Sequence, residues 1–236
     1  MGCTSTAPLE IAPSEVNEKA DGMATHLKLE DDRRTDIDEP SDLAFRKGKL
    51  YAVSDRHSKI YELDNDGDVQ SVIDVEGTDL EALAVDSDDR FYIGDESKAK
   101  VWRLNTDGER QESFDIDTTD GNSGIEGLAF DKDGDMLVAK EKSPATIIIL
   151  DNDGDEKDRK KLDFADDLSA ITWNPNDNHL YALSAVEHKL WRLDADFDKI
   201  TTWDLPIEEP EGLAFDGKTL YVVSDTEERL YVFELD

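Results

Sequence analysis

The chain has 236 residues, with 59 acidic against 26 basic side chains and a formal net charge of -33. That length suits one all-β domain with its own core, while the charge excludes nucleic-acid binding, which needs a basic surface. Such self-repulsion opposes a compact state unless salt screens it, so the acid excess reads as a surface adapted to high salt rather than as a dedicated cation reservoir.

The chain opens Met1-Gly2-Cys3-Thr4-Ser5-Thr6. Cys3 is the single cysteine, which excludes an internal disulfide and a cysteine-based zinc site. Three readings of this start are open. It is a lipoprotein-signal remnant with Cys3 as the lipidated residue, a myristoylation pattern with Gly2 and Thr6 in place, or an uninformative tail. The first is favoured, because Ala7 to Asp21 reads as a polar tether with Pro8, Pro13 and few large side chains. No apolar run is long enough to cross a membrane, so membrane contact would run through an anchor at Cys3 alone. Residues 1–22 are expected to be a flexible tether and 23–236 a single domain.

His26-Leu27-Lys28-Leu29 is a short strand with no partner beside it in sequence. Five repeats follow. They begin at Glu39-Pro40-Ser41-Asp42-Leu43-Ala44-Phe45, Asp79-Leu80-Glu81-Ala82-Leu83-Ala84-Val85, Gly124-Ile125-Glu126-Gly127-Leu128-Ala129-Phe130, Asp167-Leu168-Ser169-Ala170-Ile171-Thr172-Trp173 and Glu209-Pro210-Glu211-Gly212-Leu213-Ala214-Phe215. The aligned Leu43, Leu83, Leu128, Ile171 and Leu213 recur every 40 to 45 residues, the period of a four-stranded propeller blade. Each repeat continues with a polar turn and a second strand such as Leu50-Tyr51-Ala52-Val53 or Leu180-Tyr181-Ala182-Leu183. A third strand then alternates apolar and other side chains, as in Val101-Trp102-Arg103-Leu104. The first four repeats add a fourth strand, such as Thr202-Trp203-Asp204-Leu205, whereas the fifth ends after its third at Asp236. Pairing 26–29 with that last repeat closes the ring and removes two exposed sheet edges. The expected fold is an all-β, five-bladed β-propeller of four-stranded antiparallel blades, closed by the N-terminal strand.

Antiparallel order sorts the loops onto two faces. One carries the Asp-Gly turns, such as Asp64-Asn65-Asp66-Gly67-Asp68 and Asp151-Asn152-Asp153-Gly154-Asp155. These are not EF-hand loops: with Gly at position six, position twelve falls on Ile73, Lys140 or Lys160 instead of a bidentate Glu. They read as hairpin turns in which Gly and Asn accept positive φ. The opposite face collects Ser41, Glu81, Glu126, Ser169 and Glu211 from the inner strands, and Ser54-Asp55, Asp95-Glu96, Lys140-Glu141, Ser184-Ala185 and Ser224-Asp225 from the ends of the second strands. Glu81, Glu126 and Glu211 are expected to converge on the channel mouth, with Asp55, Asp95, Glu96, Lys140, Glu141 and Asp225 around them. Converging carboxylates cannot all stay ionised without a proton or a cation. Lys140 offsets part of this charge, and a hard divalent ion, Ca2+ ahead of Mg2+ in a wide ring, would supply the rest. The structural alternative has these glutamates accepting backbone N–H bonds and joining adjacent blades. Blade 4, with Ser169, Ser184 and Ala185, is an uncharged sector open to a ligand. His26, His57, His179 and His188 offer no obvious nucleophile–base pair, and no phosphate-cradling Gly loop or zinc signature is present.

The Ser-Asp-Leu-Ala start, Leu-Tyr-Ala-Val-Ser-Asp, Lys-Ile-Tyr-Glu-Leu-Asp, repeated Glu-Gly-Leu-Ala and Leu-Val-Ala-Lys-Glu-Lys at 137–142 resemble the SdiA-regulated, YjiK-like family of bacterial envelope propellers, over about Asp36 to Asp236. The resemblance implies a propeller fold, an exported periplasmic or envelope location and no established enzyme activity. Two functions follow as expectations. One is a monomeric, non-enzymatic binding module with Ca2+ at the acidic mouth and an unidentified small-molecule or protein ligand. The other is a metal-dependent hydrolase of a lactone or phosphoester, with Glu141 or Asp225 as base.

Overall fold

The computed structural model describes residues 8–16, 26–64, 66–118, 124–142 and 144–236. Cys3 and its proposed lipidation lie outside the described residues. Five antiparallel sheets form a ring of blades. Their inner strands are Pro40–Arg46, Leu80–Val85, Ile125–Phe130, Ala170–Asn174 and Pro210–Asp216 in blades 1 to 5. Each inner strand contacts the inner strands on both sides, including blade 5 against blade 1. The expected five-bladed propeller is the fold.

The core lies between the blades. Five clusters of buried side chains each span one blade pair. The pattern follows from strand geometry, because alternate residues of a blade face opposite neighbours. In blade 1, Ala44, Tyr51, Val53 and Ile60 pack on blade 2, and Leu43, Leu50, Ala52 and Tyr61 pack on blade 5. Aromatic pairs lock several of these interfaces: Phe45 stacks on Tyr221 at 6.4 Å, and Phe130 meets Tyr92 edge-on at 4.7 Å.

Closure occurs where the strand arithmetic requires it. Leu27–Arg34 pairs antiparallel with Arg229–Leu235, from Leu27 opposite Leu235 to Arg34 opposite Arg229. The strand is longer than the expected 26–29 because the register continues through Asp31 and Asp32 past a bulge. Within the stretch 1–22 expected as a tether, the described residues 8–16 carry two short strands that pair with the ring. Leu9–Ile11 pairs with Leu27–Leu29 on the outside of blade 5, and Glu15–Val16 pairs with Thr201–Thr202 on the outside of blade 4. Outer strands present unpaired backbone groups that favour any added strand. Here Ile11 also buries itself in the blade 4–5 core, and Glu15 pairs with Lys199 at 2.5 Å.

The Asp-Gly turns are hairpin turns. Asp131 Oδ1 accepts the N–H of Asp133 and of Asp135 at 2.8 and 2.9 Å, and Asp64, Asn105, Asp151 and Asp194 repeat the pattern. These side-chain bonds reinforce the backbone turn bonds, such as Gly134 N–H to Asp131 O at 3.2 Å, which gives the first Asp or Asn of each turn a structural role.

Even with every basic residue matched to one acid, 59 minus 26 leaves an excess of 33 acidic residues. The melting temperature should therefore rise clearly between low and molar salt. A flat thermal-melt series would remove the high-salt reading.

Candidate functional site at the acidic mouth

The recurring Glu-Gly-Leu-Ala motif has a local cause. In blades 1, 2, 3 and 5 the pairing of the inner strand with the second strand shifts by one residue at Ser41, Glu81, Glu126 and Glu211. Each is the extra residue of a β-bulge, and a bulge re-aims its side chain. The residue after the bulge lies against the next blade. A Cβ on Gly127 would meet Ile171 N at 2.7 Å, and one on Gly212 would meet Asp42 Cα at 2.5 Å. Glu therefore turns into the mouth, Gly permits the close approach, and Leu and Ala fill the core.

The residues before the bulges add to the cluster. Glu39, Asp79 and Glu209 have φ of 49°, 94° and 42°, a left-handed conformation that costs a non-glycine residue about 1–3 kcal/mol and is concentrated at functional sites. Asp79, Glu81 and Glu96 offer one oxygen each, all within 4.8 Å of one another, and Glu96, Glu126 and Glu141 do the same. Glu96 belongs to both sets. Its approach is tight: a Cβ on Gly124 would fall 1.6 Å from Glu96 Cγ.

Glu81, Glu126 and Glu211 feel one another's charge at the mouth. Glu81 and Glu126 each belong to one of the two close sets, whereas Glu211 belongs to neither and feels Glu81 first, then Asp225, Glu209 and Asp167. Asp79, absent from the expectation, joins Glu81. Asp95 does not face the mouth charge, because Ser97 Oγ and Lys98 Nζ bond it at 2.8 and 2.6 Å. Lys140 is buried with its ammonium on the Lys142 carbonyl at 2.7 Å, and Lys142 pairs with Glu141. Asp55 and Asp225 are half-buried on the rim, each with one buried oxygen that lacks a hydrogen-bond partner.

The electrostatic consequence is strong. Burial, reinforced by neighbouring carboxylates, pushes Glu126 up to about 10 and Glu81 and Glu211 up to about 8. Burial and Asp79 also raise Glu96. The structural alternative, in which carboxyls accept backbone N–H groups and join blades, is present at Glu96, which bonds Gly124 N–H of blade 3, and most fully at an aspartate. Asp42 is fully buried, and its oxygens accept Leu43 N–H at 2.7 Å and Leu83 N–H at 2.8 Å, with Leu213 N–H also bonded. One carboxyl thus joins the inner strands of blades 1, 2 and 5, while burial holds its pKa well above the usual range. Asp42→Asn keeps the shape but turns an amide NH2 toward backbone donors. A loss of about 1–3 kcal/mol is expected, read as a lower denaturation midpoint with an unchanged m-value.

Beside the carboxylates, in the blade 4 sector, lies a cleft of about 370 Å³. Glu126, Glu141 and Glu211 form its acidic side, and Leu168, Ala185 and Val186 its apolar side. Asp167 is not free to act there: it is tied to Ser184 Oγ and to the N–H groups of Ala185 and Val186. His188 also lines the cleft and lies 2.7 Å through Nδ1 from the Ile207 carbonyl. A carbonyl only accepts, so Nδ1 carries the proton in this contact.

A sequence profile of the SdiA-regulated family matches residues 22–234. The chain belongs to the SdiA-regulated family. Solved structures place this family member among propellers of varied activity. A glutaminyl cyclase from Myxococcus xanthus superposes with a TM-score of 0.70 at 11% identity, covering 89% of this chain and 96% of that one. A gluconolactonase from Xanthomonas campestris gives 0.62 at 13% identity, covering 99% of both. A catalytically inactive virginiamycin B lyase from Staphylococcus aureus gives 0.55 at 16% identity, covering 84% of this chain and 66% of that one, so the chain spans about two thirds of that relative. At these identities the likeness establishes the propeller fold alone.

Proposed function

We propose that this SdiA-regulated propeller is a non-enzymatic, envelope-associated binding module whose acidic mouth holds a divalent cation, Ca2+ ahead of Mg2+. One observation carries the reading: two overlapping carboxylate sets share the Glu96 side chain, and burial makes their charge costly without a counter-ion. Oxygen-only ligands in a wide, irregular mouth suit Ca2+. The ion would fix the mouth and present a ligand site beside the blade 4 cleft. Export to the envelope, a lipid anchor at Cys3 and a monomeric state belong to the same proposal. Calorimetric titration of the full chain with CaCl2 tests the site. Saturable binding should weaken at least about a hundredfold, or 2.7 kcal/mol, in Glu96→Gln and persist in Glu211→Gln. Equal affinity in wild type and Glu96→Gln would end the proposal.

A metal-dependent hydrolase is the second reading, and the cleft favours it. Glu141 and His188 both line that cleft and are the two candidate bases, whereas Asp225 is outside the lining. A bound ion would polarise a lactone or phosphoester oxygen or activate water. Calcium-dependent turnover in a lactone and phosphoester screen, lost in His188→Ala, would replace the first reading by this one.

A further inference from the structure

The Asp-Gly face carries the larger cavity, about 870 Å³, within the range of small-molecule sites. It opens at the end of the ring opposite the acidic mouth and owes nothing to the metal proposal. Every blade sends the residue two places after its aligned Leu or Ile toward this end: Phe45, Val85, Phe130, Trp173 and Phe215. Phe215 is buried, while Phe45, Phe130 and Trp173 are only half-buried, so aromatic surface remains available to an occupant.

The charges around this collar are unevenly satisfied. Its three basic residues are committed: Arg90 to Asp86 and Asp88 at 2.6 and 3.2 Å, Arg103 to Glu112 at 2.8 Å, and Lys132 to Asp133. Asp131 and Asp151 also line the cavity, yet each uses Oδ1 for the two N–H groups of its own turn and makes no ion pair among the described residues. Lys157 feels both charges but bonds Asp135. Two carboxylates without a bonded cation therefore stand beside half-exposed aromatic rings. An anion is repelled here, and a neutral apolar molecule leaves the charges unmatched. An alkylated ammonium ion satisfies both features, with its positive head against the carboxylates and ring faces and its apolar body in the collar.

We propose that the aromatic mouth is a binding site for an organic ammonium ion carrying an apolar body. The test is titration of the full chain with benzyltrimethylammonium, followed by tryptophan fluorescence and calorimetry. About 0.5 M NaCl should be present, so that diffuse attraction to the -33 surface is screened. Benzyl alcohol and benzoate serve as the neutral and anionic counterparts. The expected result is saturable binding of the cation, at least about tenfold tighter than either counterpart, with quenching that disappears in Trp173→Phe. Asp131→Asn combined with Asp151→Asn keeps the turn acceptors and removes both charges. That variant, checked for native fold by circular dichroism, should lose at least about tenfold in affinity. No saturable binding, equal affinity for benzoate, or unchanged affinity in the double variant would overturn the proposal. So would binding abolished by Glu126→Gln, since that places the cation at the opposite mouth.

Discussion

In metal-free protein the melting temperature should fall as pH rises from about 5 to about 9, and millimolar CaCl2 should reverse the fall. The direction follows from the raised carboxyls. Glu81 and Glu211 hold a proton up to about 8 in the folded chain, and Glu126 up to about 10, from an ordinary value of 4.5. Between those limits the folded state binds more protons than the unfolded state, so stability is lost as pH climbs. For Glu81 alone a change from 4.5 to about 8 corresponds to a loss on the order of 5 kcal/mol. The three glutamates share one field, so their losses do not add. A cation competes with those protons. Calcium added near pH 7 in weak buffer should release about one or more protons per ion bound. Glu126→Gln should flatten the pH slope and abolish the calcium effect, whereas Glu211→Gln should reduce the slope and keep it. A metal-free stability curve that stays level from pH 5 to 9, with no protons released on calcium addition, would mean the mouth is neutral by other means.

The sequence revealed the ring because each blade repeats one order of polar and apolar residues, and because the fifth repeat lacks a strand that lies unused before the first. It revealed which mouth is acidic, since antiparallel order alone sorts the loops. The grouping of the mouth carboxylates was not legible. Whether Glu81 pairs with Asp79 or Glu211 depends on a bulge and on a left-handed residue before it, and neither leaves a compositional mark on an acidic side chain. Asp95 and Lys140 align with Ser54 and Ser224 at strand ends, but their contacts with Lys98 and the Lys142 carbonyl depend on side-chain direction. Asp42 was hidden for another reason. Its aligned counterparts Ala82, Gly127, Ala170 and Gly212 mark a tightly packed position, which gives no hint that one blade fills it with a carboxyl reaching two neighbours. The edge strands at Leu9–Ile11 and Glu15–Val16 belong to no repeat and are too short to show a period.

Removal of residues 1–34 should abolish the soluble monomer, whereas removal of residues 1–16 should leave a folded and less stable one. The shorter deletion takes away only strands added outside blades 4 and 5. The longer one strips the ladder opposite Arg229–Leu235 and withdraws Leu27 from contact with the core that holds Phe233 and Leu235. Losing one buried Leu costs about 2–5 kcal/mol, and the ladder bonds add about 0.5–1.5 kcal/mol each. Together these approach the whole stability of a domain, about 5–15 kcal/mol. The bare edge that remains would template aggregation. Size-exclusion chromatography with light scattering distinguishes the outcomes, and a synthetic peptide of residues 26–36 should restore the monomer in trans. The closing strand also feeds the acidic mouth. Thr35 N–H bonds Glu228 O at 2.8 Å, and the chain then runs through Asp38, whose carbonyl accepts Ser54 Oγ at 2.7 Å, into Glu39 and the first bulge. A truncated protein that stayed monomeric would show that blade 5 does not need its N-terminal strand, and the mouth carboxylates would then have to be held by the inner strands alone.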